Sequence, residues 1–558
     1  MVQKFLGFFY RETNSLNQAA LLLGFFAFLS QILAFLRDRL LAHIFGASKD
    51  LDIYYAAFRI PDLIFVTVAS IVSISVLVPF IIEKDSAGRE ILRKFIDSVF
   101  SFFGMLMVGA SLLAYISMPY VSTLLFKGFS VEAQSQVVSL SRLLLLSPVL
   151  LGLSNLFGSL TQAYNRFTLY ALAPILYNAG IVIGIIALAE KMGVLGVAIG
   201  VIVGAALHLL LQVPFVFKIG LMPRFTPNCD LELIKQVAKI SMPRTLTLSM
   251  SAITLLYLTA LASLMSEGSI SILTFAINLS GVPLTLIGVS YSLAAFPTLT
   301  RQFQDKNIPA FIEQMSVTAR FIIFWSLPLT ALFIVLRAQI VRVLLGSGQF
   351  DWSATRLTAA VLALFVLSAV FQSLLLLFMR GFYSAGFTKK PFYITLFSTG
   401  IITASAYGLV KLFYVSETFR YFISSMMKVE DLPSSVVLML PLAFSIGTII
   451  NGILLWVAFE REFRGFSKEV MRTLFQTFAV SVVMGAMAYM SLRLFSEVVE
   501  TSSLIGLFLQ ASLAGLIASI TGVVIFVALK NRELASIWAV LKGKFWKTTV
   551  IATDPEIV

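Results

Sequence analysis

Fourteen stretches of this sequence are each long and apolar enough to cross a lipid bilayer as a helix. A spanning helix needs about 20 mostly apolar residues, because the hydrocarbon core of a bilayer is about 30 Å thick. Only helices and closed barrels satisfy their backbone hydrogen bonds in that environment, so such a chain has few folds open to it. The predicted spans, numbered 1 to 14, cover residues 18–44, 54–82, 95–119, 134–161, 168–189, 194–217, 240–265, 270–299, 316–338, 355–379, 391–414, 434–459, 470–492 and 503–529.

The composition excludes a soluble fold. Hydrophobic residues make up 59% of the 558 positions and charged residues only 12%. A soluble domain with that balance would expose one continuous apolar surface. We therefore predict an all-α, polytopic membrane protein with 14 transmembrane helices.

The basic residues predict how the chain is oriented in the membrane. If the N-terminus is cytoplasmic, roughly 27 of the 41 Lys and Arg residues lie in loops and tails on the cytoplasmic side. This bias agrees with an even number of spans and predicts that both termini are cytoplasmic. It also accounts for much of the net charge of +13, so no nucleic-acid partner is expected. The basic C-terminal tail is expected to contact anionic bilayer lipids.

Motifs that would indicate an enzyme are absent from the sequence. There is no phosphate-binding GxxxxGK[ST], no GxSxG and no HExxH, so neither nucleotide-driven transport nor hydrolysis is predicted. Cys229 is the only cysteine, which excludes an intramolecular disulfide and a cysteine-ligated metal cluster. No cofactor is predicted. A coupling cation or the membrane potential stays open as the unidentified driving force.

Charged residues interrupt the apolar pattern most strongly between residues 30 and 62. Arg37 and Asp38 lie late in span 1, and Asp52 and Arg59 lead into span 2. A charge at the centre of a spanning helix costs about 2.5–3.5 kcal/mol on insertion scales, so such residues usually face protein or water and have a function. This segment therefore predicts a polar site in a membrane transporter.

An internal repeat relates the two halves of the chain. LLFKGF at 124–129 recurs as LLGSGQF at 344–350, which aligns Gly128 with Gly348 at an offset of about 220 residues, or six spans. Because six is even, both halves enter the membrane in the same sense. Two further matches share that offset: Ala163–Thr168 with Phe382–Thr388, and Ser73–Ser75 before Pro79 with Ser290–Ser292 before Pro297.

The repeat predicts the domain organisation. Residues 1–220 would form an N-terminal lobe of six helices, and residues 221–460 a C-terminal lobe of six more. Residues 461–558 would add spans 13 and 14 and a basic cytoplasmic tail.

Several motifs together resemble the MurJ/MviN family of lipid II flippases. The resemblance covers essentially the whole chain and implies the MATE-like fold of the MOP exporter superfamily, with alternating access. It also implies that a polyprenyl-diphosphate-linked peptidoglycan precursor moves from the inner to the outer leaflet. The motifs are Ser30–Asp38, Ile44–Ala47, Ala57–Pro61, Tyr164–Phe167 and Gly381–Ser384.

This sequence departs from the family pattern at the expected cavity. Gln31, Phe65 and Asn278 stand where the family usually has arginines. Gly281 replaces a family glutamate, and Ala406 an asparagine near a proposed cation site. A diphosphate is bound best by several arginine forks, so these departures predict a less positive cavity than is typical of the family.

Helical spacing groups the candidate substrate-binding residues of span 1. Gln31 and Asp38 are seven residues apart and share a helix face, as do Ser30 and Arg37. A face that is polar for two turns favours a water-lined path. The alternative is that Arg37 and Asp38 snorkel to the membrane surface and pair locally.

Three further candidates have alternatives of similar weight. Asp52 and Arg59 share a helix face, and they could form a surface ion pair instead of a substrate site. Arg142, in span 4, could replace a missing phosphate donor or snorkel outward, the second being favoured. Pro61 is expected to kink span 2.

The function predicted from these residues is a flippase for a lipid II-like precursor, with Arg37, Asp38, Asp52, Arg59, Gln31, Asn278 and Arg142 as substrate-binding candidates. Two alternatives stay open. The first is a flippase for another lipid-linked glycan, or a small-molecule antiporter of the same superfamily. The second is a wall-synthesis scaffold without transport. The predicted partners are a lipid-linked oligosaccharide and bilayer lipids, and the oligomeric state is not predicted.

Overall fold

A computed structural model of the chain describes residues 16–69, 71, 74–227, 229–498 and 503–545, and these contain helices and no strands. Ser73, part of one repeat match, lies outside the described residues, as does the C-terminal tail after residue 545. The first helices in chain order are α1 (Leu16–Phe45), α2 (Lys49–Ile64), α3 (Ile74–Ala87), α4 (Arg89–Leu125), α5 (Val131–Leu144), α6 (Leu146–Ala163), α7 (Phe167–Met192), α8 (Val194–Leu210), α9 (Val213–Lys218), α10 (Leu231–Ala262) and α11 (Ser269–Pro283).

The remaining helices complete the chain. They are α12 (Ser290–Gln304), α13 (Ile308–Val335), α14 (Arg337–Leu345), α15 (Trp352–Val366), α16 (Ala369–Ser384), α17 (Lys389–Val415), α18 (Glu417–Met427), α19 (Met439–Glu462), α20 (Phe466–Val498), α21 (Leu504–Ala528) and α22 (Arg532–Phe545).

Every predicted span coincides with helical structure. Among the described residues, 11 helices are long and apolar enough to cross a membrane, and 12 if α15 and α16, bent by 42°, form one span. The two other predicted spans correspond to α1 and to the interrupted helix from α2 to α3. The chain is thus an all-helical, multi-pass membrane protein, and the count of 14 is consistent with the structure.

Two helices are interrupted by π-helical turns that follow prolines. Pro61 lies in the last turn of α2, and a π-helix follows at Phe65–Ala69. Pro283 ends α11, and a second π-helix follows at Leu284–Val289. Proline has no N–H to give to the helix ladder, so the carbonyl four residues before it is freed. For Pro61 this is the carbonyl of Ala57, which accepts from Ser141 Oγ at 2.9 Å. The α-helix thus gives way to a π-helical turn four residues after Pro61, and the kink expected at Pro61 stays a prediction.

The chain divides into two compact units. The first comprises residues 1–279, 344–365 and 387–451, and the second comprises residues 280–343, 366–386 and 452–558. Because both units are discontinuous in sequence, they do not coincide with the two lobes predicted from the repeat. The lobes stay a prediction.

In the first unit, α7 and α8 pack closely because glycines line their contact. A Cβ on Gly184 would lie 2.4 Å from the Cα of Gly200, and a Cβ on Gly180 would lie 2.3 Å from the Cα of Gly204. Small residues let membrane helices approach closely, which gains van der Waals contact where no hydrophobic driving force acts between helices. This pair stiffens the part of the unit that carries Asn178.

The second unit is held by aromatic packing. Phe459 of α19 contacts Phe378, Phe382 and Phe466, with ring centroids 5.1–5.7 Å apart. Helix α13 packs along α20, which packs along α21. Phe324 of α13 meets Phe526 of α21, with ring centroids 4.8 Å apart. Spans 13 and 14 are therefore part of the core of this unit.

Candidate functional site

Arg37 and Asp38 form an ion pair in the first unit. Nε and Nη2 of Arg37 donate to Oδ1 of Asp38 at 2.9 and 2.7 Å. Asp38 is 4% exposed. Its second oxygen, Oδ2, accepts a hydrogen bond from Nδ2 of Asn278 in α11 at 2.9 Å. Both carboxylate oxygens are therefore engaged, and Asp38 orients Arg37 and Asn278 together.

Asn178 of α7 extends this network, and the sequence analysis did not identify it. Its Oδ1 accepts from Nη1 of Arg37 at 3.3 Å, and its Nδ2 donates to Ser30 Oγ at 3.2 Å. Ser30 and Arg37 thus lie on one face of α1, as their spacing indicates. The only signal for Asn178 in the sequence is that it is a lone amide in a strongly apolar helix.

The guanidinium of Arg37 keeps donors for a ligand. Three of its N–H groups are engaged by Asp38 and Asn178. A guanidinium has five N–H donors, so about two stay available. The side chain is 22% exposed. The arrangement can bind an anion without giving up the ion pair that holds it.

Arg59 is held by hydroxyl groups from two other helices. Its Nε donates to Thr259 Oγ1 of α10 at 2.8 Å, and its Nη2 donates to Thr274 Oγ1 of α11 at 3.3 Å. Asp62 lies one helical turn further along the chain, where it interacts electrostatically with Arg59. The two hydroxyl groups position the guanidinium, and Asp62 is the acidic group near it.

Asp52 caps the N-terminus of α11. Its carboxylate accepts from the N–H groups of Gly268 and Ser271 at 2.8 and 2.7 Å, and from Ser271 Oγ at 2.6 Å. A carboxylate at a helix N-terminus satisfies unpaired N–H groups and is favoured by the helix dipole. Asp52 is 3% exposed, so the structure gives it a role in holding α2 to α11.

The other sequence candidates have separate environments. Arg142 lies over the Tyr115 ring, with Cζ 4.7 Å from the centroid, and donates from Nε to the Tyr115 carbonyl at 3.1 Å. Gln31 is half-buried two turns before Asp38, and Phe65 is half-buried at the start of the first π-helix. The structure therefore groups Arg37, Asp38 and Asn278, and it places Asp52 and Arg142 at other contacts.

The repeat glycines form two equivalent close contacts, which we call the seam. A Cβ on Gly128 would lie 1.8 Å from the carbonyl oxygen of Ser263, and a Cβ on Gly348 would lie 2.3 Å from that of His43. The N–H of Gln349 also donates to the His43 carbonyl at 2.9 Å. His43 and Ser263 are separated by the same 220 residues as the two glycines. Under the 220-residue repeat, the contact of Gly128 with Ser263 is therefore the counterpart of the contact of Gly348 with His43.

No group of three or more His, Cys, Asp or Glu side chains suited to a metal ion occurs within the described residues.

A family model described as "Lipid II flippase MurJ" matches residues 41–511 of the chain. The "Probable lipid II flippase MurJ" of Buchnera aphidicola subsp. Schizaphis graminum is 27% identical over 389 residues, which is 68% of this chain and 75% of that protein. The "Lipid II flippase MurJ" of Burkholderia cenocepacia is 25% identical over 407 residues, covering 71% and 79% of the two chains.

Solved structures show the same fold. A structure titled "Lipid II flippase MurJ, inward closed conformation" aligns with a TM-score of 0.70 at 22% identity, over 92% of this chain and all of that one. An inward-facing MATE family transporter of the MOP superfamily aligns with a TM-score of 0.64 at 14% identity, over 79% and 96% of the two chains.

Proposed function

Because the chain belongs to the MurJ family, we propose that it is a flippase that moves a polyprenyl-diphosphate-linked peptidoglycan precursor from the inner to the outer leaflet of a bacterial inner membrane. The observation that carries this proposal is the ion pair of Arg37 and Asp38, held by Asn178 and Asn278. The transport works by alternating access and makes no covalent bond. Its partners are the lipid-linked precursor and the surrounding lipids.

Arg37 binds the diphosphate of the substrate. Charge-assisted hydrogen bonds to phosphate are roughly twice as strong as neutral ones, and the planar fork of arginine matches phosphate oxygens. Asp38 and Asn178 fix the fork, which lowers the entropy lost on binding. Arg59 supplies a second guanidinium, which is held by two hydroxyl groups and lies near the carboxyl group of Asp62. Gln31 and Asn278 contribute neutral hydrogen-bonding groups.

The two six-helix lobes, residues 1–220 and 221–460, move relative to each other during transport. Two features support the repeat behind this proposal. The π-helices begin at residues 65 and 284, at nearly the offset of the sequence repeat. The close contacts of Gly128 and Gly348 repeat at the same offset. With a cytoplasmic N-terminus, the seam lies at the outer face, where it closes the site from the periplasm.

A second candidate function is a flippase for another lipid-linked glycan. Asn278 favours it, because a neutral amide donates to Asp38 where the family usually has an arginine. Replacing a guanidinium by an amide removes a charge from the site and changes the head groups that bind best.

Complementation tests the proposed function directly. A strain depleted of its own lipid II flippase should grow when this chain is expressed. Membrane vesicles from that strain should expose fluorescent lipid II on the opposite leaflet. Failure of both, with the chain present in the membrane at normal abundance, would exclude lipid II as the substrate. Transport of another undecaprenyl-diphosphate-linked glycan would then support the second candidate function.

The orientation has its own test by cysteine labelling. Cys229 is half-buried and donates to the Thr226 carbonyl, so a Cys229→Ser background is preferable. In intact cells, an impermeant maleimide should label Glu132→Cys and leave Ser86→Cys unlabelled, because these two exposed positions lie on opposite sides in the proposed topology. Labelling of Ser86→Cys from outside would show that the orientation is the reverse of the one proposed.

Asn278→Arg should strengthen diphosphate binding. The residue already donates to Asp38, so an arginine there would pair with the same carboxylate and add donors beside Arg37. We expect about tenfold tighter binding of undecaprenyl diphosphate to purified protein, equal to about 1.4 kcal/mol. Asn278→Gln, which adds length without charge, is the control and should give no gain. Equal affinities for both variants would show that this position does not face the anion.

A further inference from the structure

A polar cavity of about 630 Å³ lies away from the site described above, within the first unit. Its walls are the end of α17, the helix α18 and the segment from Glu430 to Val436, and its floor is the turn at Leu264–Ser266. The charged groups that line it are Glu417, Arg420 and Glu430. The cavity therefore contains both signs of charge, with carboxylates in excess.

The wall that carries Glu430 is fixed by an ion pair. Arg356 donates from Nη1 and Nη2 to the two carboxylate oxygens of Asp431 at 2.8 and 2.6 Å, and its Nη2 also donates to the Lys428 carbonyl. Hydrogen bonds from Arg356 lower the pKa of Asp431 below its usual value, so this carboxylate is ionised at neutral pH. The bidentate ion pair holds the turn at Glu430 and Asp431 in one arrangement, so the cavity is preformed.

Arg420 is available to an anion from outside the chain. Its Nη2 lies 3.4 Å from Oε1 of Glu417, and the two side chains are 45% and 89% exposed. Exposed pairs of this kind contribute about 0–1 kcal/mol, so a ligand can replace them at little cost. Glu417 and Glu430 provide acceptors for an ammonium group. The ring of Tyr421 at the rim provides a face for a cation.

The surroundings of the cavity are those of a membrane interface. Tyr414 and Tyr421 line the cavity and are exposed, and Phe422 and Met426 of α18 are exposed next to them. Aromatic residues at the ends of spanning helices and short amphipathic helices both lie at the level of lipid head groups. A lipid that binds in this cavity from the bilayer therefore enters it with its head group.

We propose that this cavity binds a zwitterionic lipid head group that combines a primary ammonium with a phosphate, as in an ethanolamine phospholipid. Arg420 takes the phosphate, and Glu417 and Glu430 take the ammonium. The assignment to the outer leaflet rests on the orientation proposed above, whereas the binding chemistry does not depend on transport.

The floor of the cavity adjoins the seam. Leu264, in the floor of the cavity, follows Ser263, whose carbonyl contacts Gly128, and Gly268 of the same turn donates to Asp52. A head group bound here therefore lies next to the contact of Gly128 with Ser263.

Native mass spectrometry of the purified full-length chain tests the site. Short-chain phosphatidylethanolamine should bind at least about fivefold more tightly than phosphatidylcholine or phosphatidylglycerol. The quaternary ammonium of phosphatidylcholine has no N–H to donate, and phosphatidylglycerol has no cationic group. Glu430→Gln should remove most of this preference, because this carboxylate binds the ammonium group. Arg420→Gln should instead weaken the binding of all three lipids, because each of them carries a phosphate. Both residues line an open cavity, so folding should be retained.

The control is Glu132→Gln, an exposed carboxylate in the first turn of α5, which should keep the preference. Soluble glycerophosphoethanolamine at equal concentration should not displace the lipid. The exposed aromatic residues contact the acyl chains of the lipid, and the soluble compound has no such chains. Displacement would overturn the lipid assignment and leave a soluble phosphoamine as the ligand. Equal binding of the three lipids, an unchanged preference in Glu430→Gln, or unchanged lipid affinity in Arg420→Gln would overturn the site.

Discussion

Arg37→Ala should abolish transport, and Arg37→Lys should reduce it by roughly tenfold or more, which corresponds to a loss of about 1.4 kcal/mol. The guanidinium contacts Asp38 with two nitrogens and Asn178 with the third. A lysine has one nitrogen and cannot hold both neighbours while it binds a phosphate. The measurement is growth of the flippase-depleted strain together with the rate of lipid II exposure, at matched membrane abundance.

Folding must be separated from transport in this experiment. Removing Arg37 alone leaves the buried Asp38 carboxylate without its cation, which typically costs about 3–5 kcal/mol of stability. The double variant Arg37→Met/Asp38→Asn removes both charges and should restore the thermal stability of the purified protein. It should still fail to transport, because the phosphate has lost its partner. Normal transport by the double variant would show that the ion pair is structural only.

The helices could be predicted from sequence because hydropathy is a local property. A stretch of about 20 apolar residues crosses a membrane almost regardless of its neighbours. Each predicted span accordingly coincides with helical structure. The sequence also predicts a kink at Pro61, because proline lacks the N–H of one helical hydrogen bond. The π-helical turn that starts at Phe65 was not predicted.

The contacts of the site depend on residues that are distant in sequence. Asp38 and Asn278 are 240 residues apart, and Asp52 and Ser271 are 219 apart. Spacing on one helix gave the shared face of Ser30 and Arg37, but it contains no information about α7 or α11. The cap formed by Asp52 and the participation of Asn178 therefore required the structure.

The internal repeat could be predicted from the sequence only in part. The offset of Gly128 and Gly348 can be read from the sequence, and it identifies both positions as equivalent. Their contacts are nonetheless with the helix ends at Ser263 and His43, which no motif marks. Close backbone approach explains why glycine stands at both places.

Gly128→Ala should prevent the seam from closing. The added methyl group would lie 1.8 Å from the Ser263 carbonyl oxygen, 2.5 Å from its carbon and 2.7 Å from the Cα of Leu264. All three are backbone atoms, so no side chain can rotate away. Gly128 is not among the glycines with positive φ, so alanine is compatible with its local conformation and the clash is the only change.

The expected cost is that of overpacking, about 1–3 kcal/mol against the closed seam. A shift of that size changes the ratio of closed to open states by about 5–150-fold. Transport of lipid II should fall in proportion, because the cycle then lacks the state that seals the outer face. Hydrogen exchange of residues 264–272 should rise, since the Asp52 cap on Gly268 and Ser271 belongs to the same turn.

Gly109→Ala is the matched control. Gly109 lies in α4, on the same stretch of chain as Gly128, and a Cβ there meets no atom within 4 Å. Alanine is the better helix former, by about 1 kcal/mol, so this variant should be at least as stable as the parent and transport normally. If Gly128→Ala also transports normally and leaves the exchange of residues 264–272 unchanged, the seam is not a gate. The close contact would then serve only to pack one loop against α10.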